Sequence, residues 1–226
     1  LERQPAVPPS DGLLSIAEEA LWFIAQVEPT SAAYNVYRGA LLKGPLDVAL
    51  LERSMQILVD RHEILRGRYK TDAGRPYRTV VSRAGSPLSH IDLSGHAPSD
   101  RLAAAVMLAE AQAQRPFALD EDSLLRVTLI SLGPQESLLV LSAHHIVLDL
   151  WSIGVLFTEL QIVYTAMLAD AEAVLPSLHV RYADFAAWQR SQQLQFEQQS
   201  ASWKQQLFGL PPPLFDTASA RATEPH

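Results

Sequence analysis

The chain contains no cysteine. That excludes a disulfide framework and any cysteine-ligated zinc centre, and it agrees with a reducing cytoplasm. Runs of lysine and arginine are also missing. With 18 basic residues against 25 acidic ones the net charge is −7, which argues against a polyanionic nucleic-acid partner. No apolar stretch approaches the roughly 18 residues of a membrane span, and there is no internal repeat. What remains is ordinary globular composition, 48% hydrophobic and 19% charged over 226 residues. That length suffices for one large domain or two small ones, with a core that needs no covalent staples. The opening stretch LERQPAVPPSDG is polar and proline-rich, so residues 1–12 read as a linker and not as a signal peptide.

Periodicity then places the elements. SIAEEALWFIAQVE predicts an amphipathic helix whose core face is Ile16, Ala20, Phe23, Ile24 and Val27, with Ser15 and Glu18 spaced as a capping box. AYNVYRGALLKG predicts a strand ending at Gly44, and Pro45 then opens a helix with Val48, Leu51, Met55, Leu58 and Val59 on one side. Two short strands flank the turn DAGR, and DRLAAAVMLAEAQAQ is an alanine-rich helix. LLRVTLISLG and SLLVLSAHHIV are strands joined by a tight turn, and the second is apolar on both faces, which predicts a central position in its sheet. A long helix follows Asp149, with Ile153, Leu156, Leu160, Val163 and Met167 aligned. Helices and strands interleave to about residue 170, giving an α/β lobe with a mixed sheet and helices packed on it. Residues 13–176 read as that lobe and 177–226, largely polar and glutamine-rich and then proline-rich, as a helical connector without the strands of a second core.

The chemistry concentrates in SAHHIVLDLWS, where an apolar strand gives way to a helix. Neighbouring residues on a strand point to opposite faces, so His144 and His145 cannot both look into one cavity. An imidazole in a cleft accepts or holds a proton near neutral pH, whereas one at a strand end also serves as plain structural support. Asp149, near the start of the next helix, has the chemistry to cap backbone amides, to pair with an arginine or to fix a histidine tautomer. A metal site at His144, His145 and Asp149 has suitable ligand types, but adjacent strand histidines diverge and no HExxH helix supports one. A Ser-His-Asp triad lacks the G-x-S-x-G elbow, which leaves Ser152 as a helix cap. A second cluster, DRHEILRGRY, crowds Arg61, His62, Glu63 and Arg66 at a helix end, where basic groups suit the dipole or reach across to Asp149.

These segments together resemble the N-terminal half of condensation domains from nonribosomal peptide synthetases, within the HHxxxD acyltransferase superfamily whose fold is similar to chloramphenicol acetyltransferase. LSIAEEALWFIAQVEPTSAAYN, RHEILRGRY, AHHIVLDLWS and YADFAAWQ stand in family order, with PFALDEDSLLRVTLISLG between the second and third. The resemblance implies that His145 is the active-site histidine, facing a tunnel where an acyl thioester meets an amine. It implies structural roles for His144 and Asp149, the latter paired with Arg61 or, as second choice, Arg66, and it sets Leu150, Trp151 and Ser152 along the tunnel. It further implies that no cofactor is bound directly and that the substrates ride on the phosphopantetheine arms of upstream and downstream carrier domains. The expected product is an amide in peptide or hybrid polyketide synthesis. An ester or amide made with a soluble acceptor, or a degenerate lobe kept for docking, are the alternatives.

Three positions depart from the family pattern. Leu150 stands where the family has glycine, Ala20 where it has arginine, and Glu18 where it has glutamine. Leu150 is expected to narrow the tunnel or to alter backbone angles that glycine permits. Family members are also about twice as long, with a second lobe closing the tunnel, so WKQQLFGLPPPLFDTASARATEPH is expected to be the connector towards that missing C-terminal lobe. Half a tunnel, open to water, is what this chain alone would present.

Overall fold

A computed structural model describes residues 12–82 and 85–209. The linker read at residues 1–12 lies, apart from Gly12, outside the described residues, as does the tail from residue 210. The elements run α1 (Ile16–Val27), β1 (Asn35–Lys43), α2 (Val48–Arg61), β2 (Gly67–Asp72), β3 (Arg75–Val80), β4 (Leu88–Asp92), α3 (Pro98–Ala113), β5 (Leu125–Gly133), β6 (Glu136–His144), α4 (Leu150–Leu168), α5 (Tyr182–Ser191) and α6 (Gln193–Leu207). Four strands form a sheet in the order β1-β6-β5-β4, antiparallel except for the parallel β4–β5 pair, and β2–β3 form a separate hairpin.

The double-faced apolarity of β5 and β6 is explained by what covers each side. Leu125, Val127 and Leu129 of β5 and Leu139, Leu141 and Ala143 of β6 pack with Leu51, Met55 and Leu58 of α2 and Ile153, Leu156 and Leu160 of α4. The alternate residues Ile130, Leu132 and Val140 pack with Ala105 of α3 on a second, smaller core. This is the period of two expected of strands buried on both faces. The strand Leu88–Asp92 has no counterpart in the periodicity: five residues with three polar side chains, on the sheet edge, carry too little pattern to announce themselves. In the hairpin turn, Ala73 and Gly74 both have positive φ, the backbone of a type I′ turn, and Ala73 tolerates it at some steric cost.

Three sequence expectations are corrected. Asp47 and not Pro45 starts α2: its carboxylate accepts from the Leu50 amide at 2.9 Å, and the helix begins at Val48. On α1, Ser15 and Glu18 do form the capping box, but Ile16, Phe23 and Val27 are exposed, while Leu21, Trp22 and Ala25 contact the core. The helix is apolar nearly all round, so counting apolar residues chose the wrong face. Finally, α4 is 19 residues long with a mean hydropathy of 1.3, long and apolar enough to cross a membrane by length and composition alone, a test that the core helix of a globular protein also passes. That apolarity has two sources, a stripe buried in the core and the exposed Leu150, Trp151, Val155 and Leu168.

The buried face of α1 carries a charge. Glu18, 1% exposed, is ion-paired with Arg78 of β3, itself 4% exposed. Its carboxylate also accepts from the Ser15 amide at 2.7 Å and the Tyr69 hydroxyl at 2.8 Å. Burial, and then the neighbouring carboxylate, hold the Tyr69 phenol far above its usual range, so it remains a donor. Where the family pattern has a neutral amide, this chain has a carboxylate whose desolvation Arg78 and these donors offset. The same helix holds the start of the segment read as a connector. Tyr182 meets Ser15 through their hydroxyls at 3.0 Å, Gln189 accepts from the Ile16 amide at 2.8 Å, and Arg190 donates to the Leu14 carbonyl at 2.8 Å.

Arg78→Met leaves Glu18 buried and unpaired and is expected to cost about 3–5 kcal/mol. Urea unfolding of the variant measures this, and an unshifted midpoint would refute the ion pair as a structural requirement.

Candidate active site

The apolar run of β6 ends in a turn built by its own two histidines. His144 closes the strand, 5% exposed, and its ring packs edge-on to Phe117. Its Nδ1 accepts from the Ile146 amide at 3.1 Å, and the Val147 amide donates to its carbonyl at 3.0 Å. An accepting Nδ1 means that the hydrogen of this ring sits on Nε2. Burial, with His145 next to it, lowers the His144 pKa to about 4, so the ring is neutral at pH 7. The next backbone amide, that of His145, donates to the Tyr34 carbonyl at 2.8 Å. With its backbone fixed on both sides, the His145 side chain is exposed, and among the described residues no protein group hydrogen-bonds either of its ring nitrogens. One imidazole supports the turn and the other leaves it, as the alternation argument requires.

His145 opens into a groove of about 370 Å³. Ala17 and Leu21 of α1, His62, Ile64 and Leu65 after α2, Asp149, Ser152, Val155 and Leu156 of the α4 entry, and Tyr182 of α5 line it together with the turn. It is a largely apolar trough with a few polar groups, the usual make-up of a site that orients an organic substrate.

Asp149 stands at the groove but not in the role expected of it. It is exposed and caps α4, accepting from the Ser152 amide at 2.7 Å and the Ser152 hydroxyl at 2.6 Å. The cap is therefore Asp149, and Ser152 is its partner rather than the cap. The Ser152 hydroxyl, followed by its amide, holds the Asp149 carboxyl below its ordinary range. Neither arginine meets it. Arg61 lies 3.4 Å from Glu159 and donates to the Pro176 carbonyl, and Arg66 spends its guanidinium on the carbonyls of Val59, Asp60, Val81 and Ser82. Both arginines brace chain segments: a helix C-terminus offers unpaired carbonyls close by, whereas Asp149 has already been satisfied locally.

Of the three residues after Asp149, the groove takes only Ser152. Leu150 is 63% exposed and Trp151 82%, both outside its lining. Leu150 opens α4 without a positive φ, so the family glycine's freedom is not required here and the expected strain is absent. The sequence analysis gave no groove role to Tyr182 or to His62, which line it, nor to Glu159, which meets the His62 ring. The last had a signal, a single carboxylate within the apolar stripe of α4. Among the described residues no cluster of three histidine, aspartate or glutamate side chains is placed to hold a metal ion.

The condensation domain family model matches residues 11–223. This chain belongs to that family. The condensation domain is 39% identical over 202 residues to a linear gramicidin synthase of Brevibacillus parabrevis, covering 88% of this chain and 4% of the relative. With phosphinothricin tripeptide synthetase PhsC of Streptomyces viridochromogenes it shares 36% identity over 212 residues, 92% of this chain and 20% of that one. The first condensation domain of the calcium-dependent antibiotic synthetase, solved with a substrate analogue, superposes with a TM-score of 0.78 at 29% identity, over 91% of this chain and 49% of that one. The starter condensation domain of rhizomide synthetase shares the fold, with a TM-score of 0.81 at 21% identity. The chain thus spans about half the length of these solved condensation domains and a small part of the curated synthetases.

Two measurements test the turn. The folded His144 resists protonation until about pH 4, whereas the unfolded ring takes a proton near 6.5. The unfolded state therefore binds more protons in between, and stability falls as pH drops through that window, by up to about 3 kcal/mol. His144→Asn, which keeps an acceptor near Nδ1, should flatten this part of the stability–pH curve; an unchanged slope in urea titrations would contradict the buried neutral ring. Asp149→Ala is expected to cost about 1 kcal/mol, the size of a lost helix cap, and not the 3–5 kcal/mol of a broken buried ion pair. The cap's contribution is present above the usual carboxylate range and fades as acid titrates Asp149. Thermal melts at pH 7 and pH 3 read both effects.

Proposed function

We propose that this condensation domain supplies the histidine-bearing lobe of an acyltransferase that forms amide bonds during nonribosomal peptide assembly. The acyl donor is a thioester on the phosphopantetheine arm of an upstream carrier domain, and the acceptor is an amine on the arm of a downstream one. The amine nitrogen attacks the thioester carbonyl, the C–N bond forms, the C–S bond breaks, and the amine proton ends on the departing thiol. His145 stands beside that exchange: its unpartnered imidazole takes the amine proton or holds it by a hydrogen bond as the nitrogen becomes positively charged.

The observation that carries this reading is the contrast within the histidine pair. His144 is consumed by the turn, and His145 is left with a fixed backbone and free ring nitrogens over an apolar groove. Much of the rate is expected from holding two tethered reactants in attack geometry, so the second lobe, on the far side of the groove, is a required partner. The groove's size and apolar lining suit slender tethered chains, and neither nucleic acid nor membrane enters the scheme, which runs in the cytoplasm. The outward-facing Leu150 removes one reason to regard the lobe as degenerate.

In the synthetase module that carries this chain, with its carrier domains loaded, His145→Ala is expected to lower amide formation about 100-fold or more. Mass spectrometry of the carrier-bound product checks this, and undiminished product would overturn the assignment.

A further inference from the structure

A second imidazole borders the same groove. His62 caps the C-terminus of α2, its amide donating to the Leu58 carbonyl at 3.0 Å, and its ring Nε2 lies 2.6 Å from Oε2 of Glu159. Glu159 is 6% exposed, in the apolar stripe of α4, and Arg61 approaches the same oxygen at 3.4 Å. A carboxylate so close to one ring nitrogen accepts a hydrogen from it, which in the neutral ring puts the hydrogen on Nε2 and leaves Nδ1 as a bare acceptor. Among the described residues Nδ1 has no hydrogen-bond partner, while the His62 side chain lines the groove with His145. Placing a carboxylate in a helix stripe of leucine and valine carries a desolvation cost. A strut between α2 and α4 does not require it, since apolar contacts already join the two helices.

We infer that His62 is a second substrate-contacting imidazole of the groove: its Nδ1 accepts an N–H of a carrier-tethered substrate, and Glu159 is the positioning residue that fixes its tautomer and orientation. This rests on the amide-forming reading above. The N–H comes from one of two sources, an amide of the pantetheine arm or the amino group it delivers. A groove with a mostly apolar wall gains orientation from a few such acceptors, and His62 supplies one at a different place on the wall from His145.

His62→Gln separates strut from contact, because a glutamine N–H can still reach Glu159 while its carbonyl oxygen, overlaid on the ring from Cγ to Nε2, points away from the place of Nδ1. In the loaded module, kcat/KM for amide formation is expected to fall about tenfold, the size of one neutral hydrogen bond, with an unchanged melting temperature. Glu159→Gln should reduce it similarly, and the double variant should be no worse than either single one. Full activity of His62→Gln while His145→Ala is inactive would defeat this inference alone; full activity of His145→Ala would defeat the parent reading. Independently of turnover, 15N spectra of the histidine-labelled 226-residue chain should show His62 carrying its hydrogen on Nε2, and the opposite tautomer would overturn the proposal. Adding pantetheine, and separately an aminoacyl pantetheine, should shift the Nδ1 resonance. A shift with both assigns the arm's amide, a shift only with the aminoacyl form assigns the amine, and no shift with either ends the proposal.

Discussion

A single neutral imidazole, shut in behind Phe117, sets the geometry on which the groove depends. His144 uses Nδ1 to take up the Ile146 amide and its carbonyl to take up that of Val147. A backbone turn with buried amides needs acceptors, and here both come from the residue that ends the strand. His145 has no room on the inside and projects outward. Were the inner ring to charge, it would lose an acceptor and gain a donor facing the same amide. The low proton affinity of His144 and the exposure of His145 are therefore two results of one packing arrangement.

Much of this was legible in the sequence, for identifiable reasons. The strands β5 and β6 could be seen because both of their faces meet helices, so apolarity persisted without alternation. The capping box at Ser15 is read from two side chains three residues apart and stands as expected. The divergence of His144 and His145 follows from the pleat alone. The exposed stripe of α1 was misjudged because periodicity counts apolar residues and is blind to a buried Glu18 whose partner, Arg78, lies on another element. Pairings distant in sequence were likewise invisible. The arginine partner of Asp149 came from the family resemblance, whereas the residue chemistry alone had left a helix cap open, and the Ser152 amide and hydroxyl, three residues on, satisfy it at less entropic cost.

The polar groups that matter most are those that break an apolar pattern. Glu18 ties α1 to the β2–β3 hairpin through Arg78 and Tyr69, and Glu159 ties α4 to the end of α2 through His62 and Arg61. Each thus fastens an element that lines the groove, α1 in one case and α4 in the other. The remaining face of α4, with Leu150 and Trp151 turned outward, belongs to a lobe that spans only half of its solved relatives.

The sheet's register has a bearing on how such a polypeptide comes off the ribosome. Residue 35 of β1 lies opposite residue 144 of β6, and α1 is fastened by groups at 182, 189 and 190. A strand emerging early must stay unpaired until its neighbour arrives, and ring closure over so long a stretch is entropically slow. During that interval β1 presents Tyr37 and Leu41 beside an unfilled ladder, so nascent chains of this lobe are exposed to edge-to-edge misassociation until synthesis has passed the histidine pair.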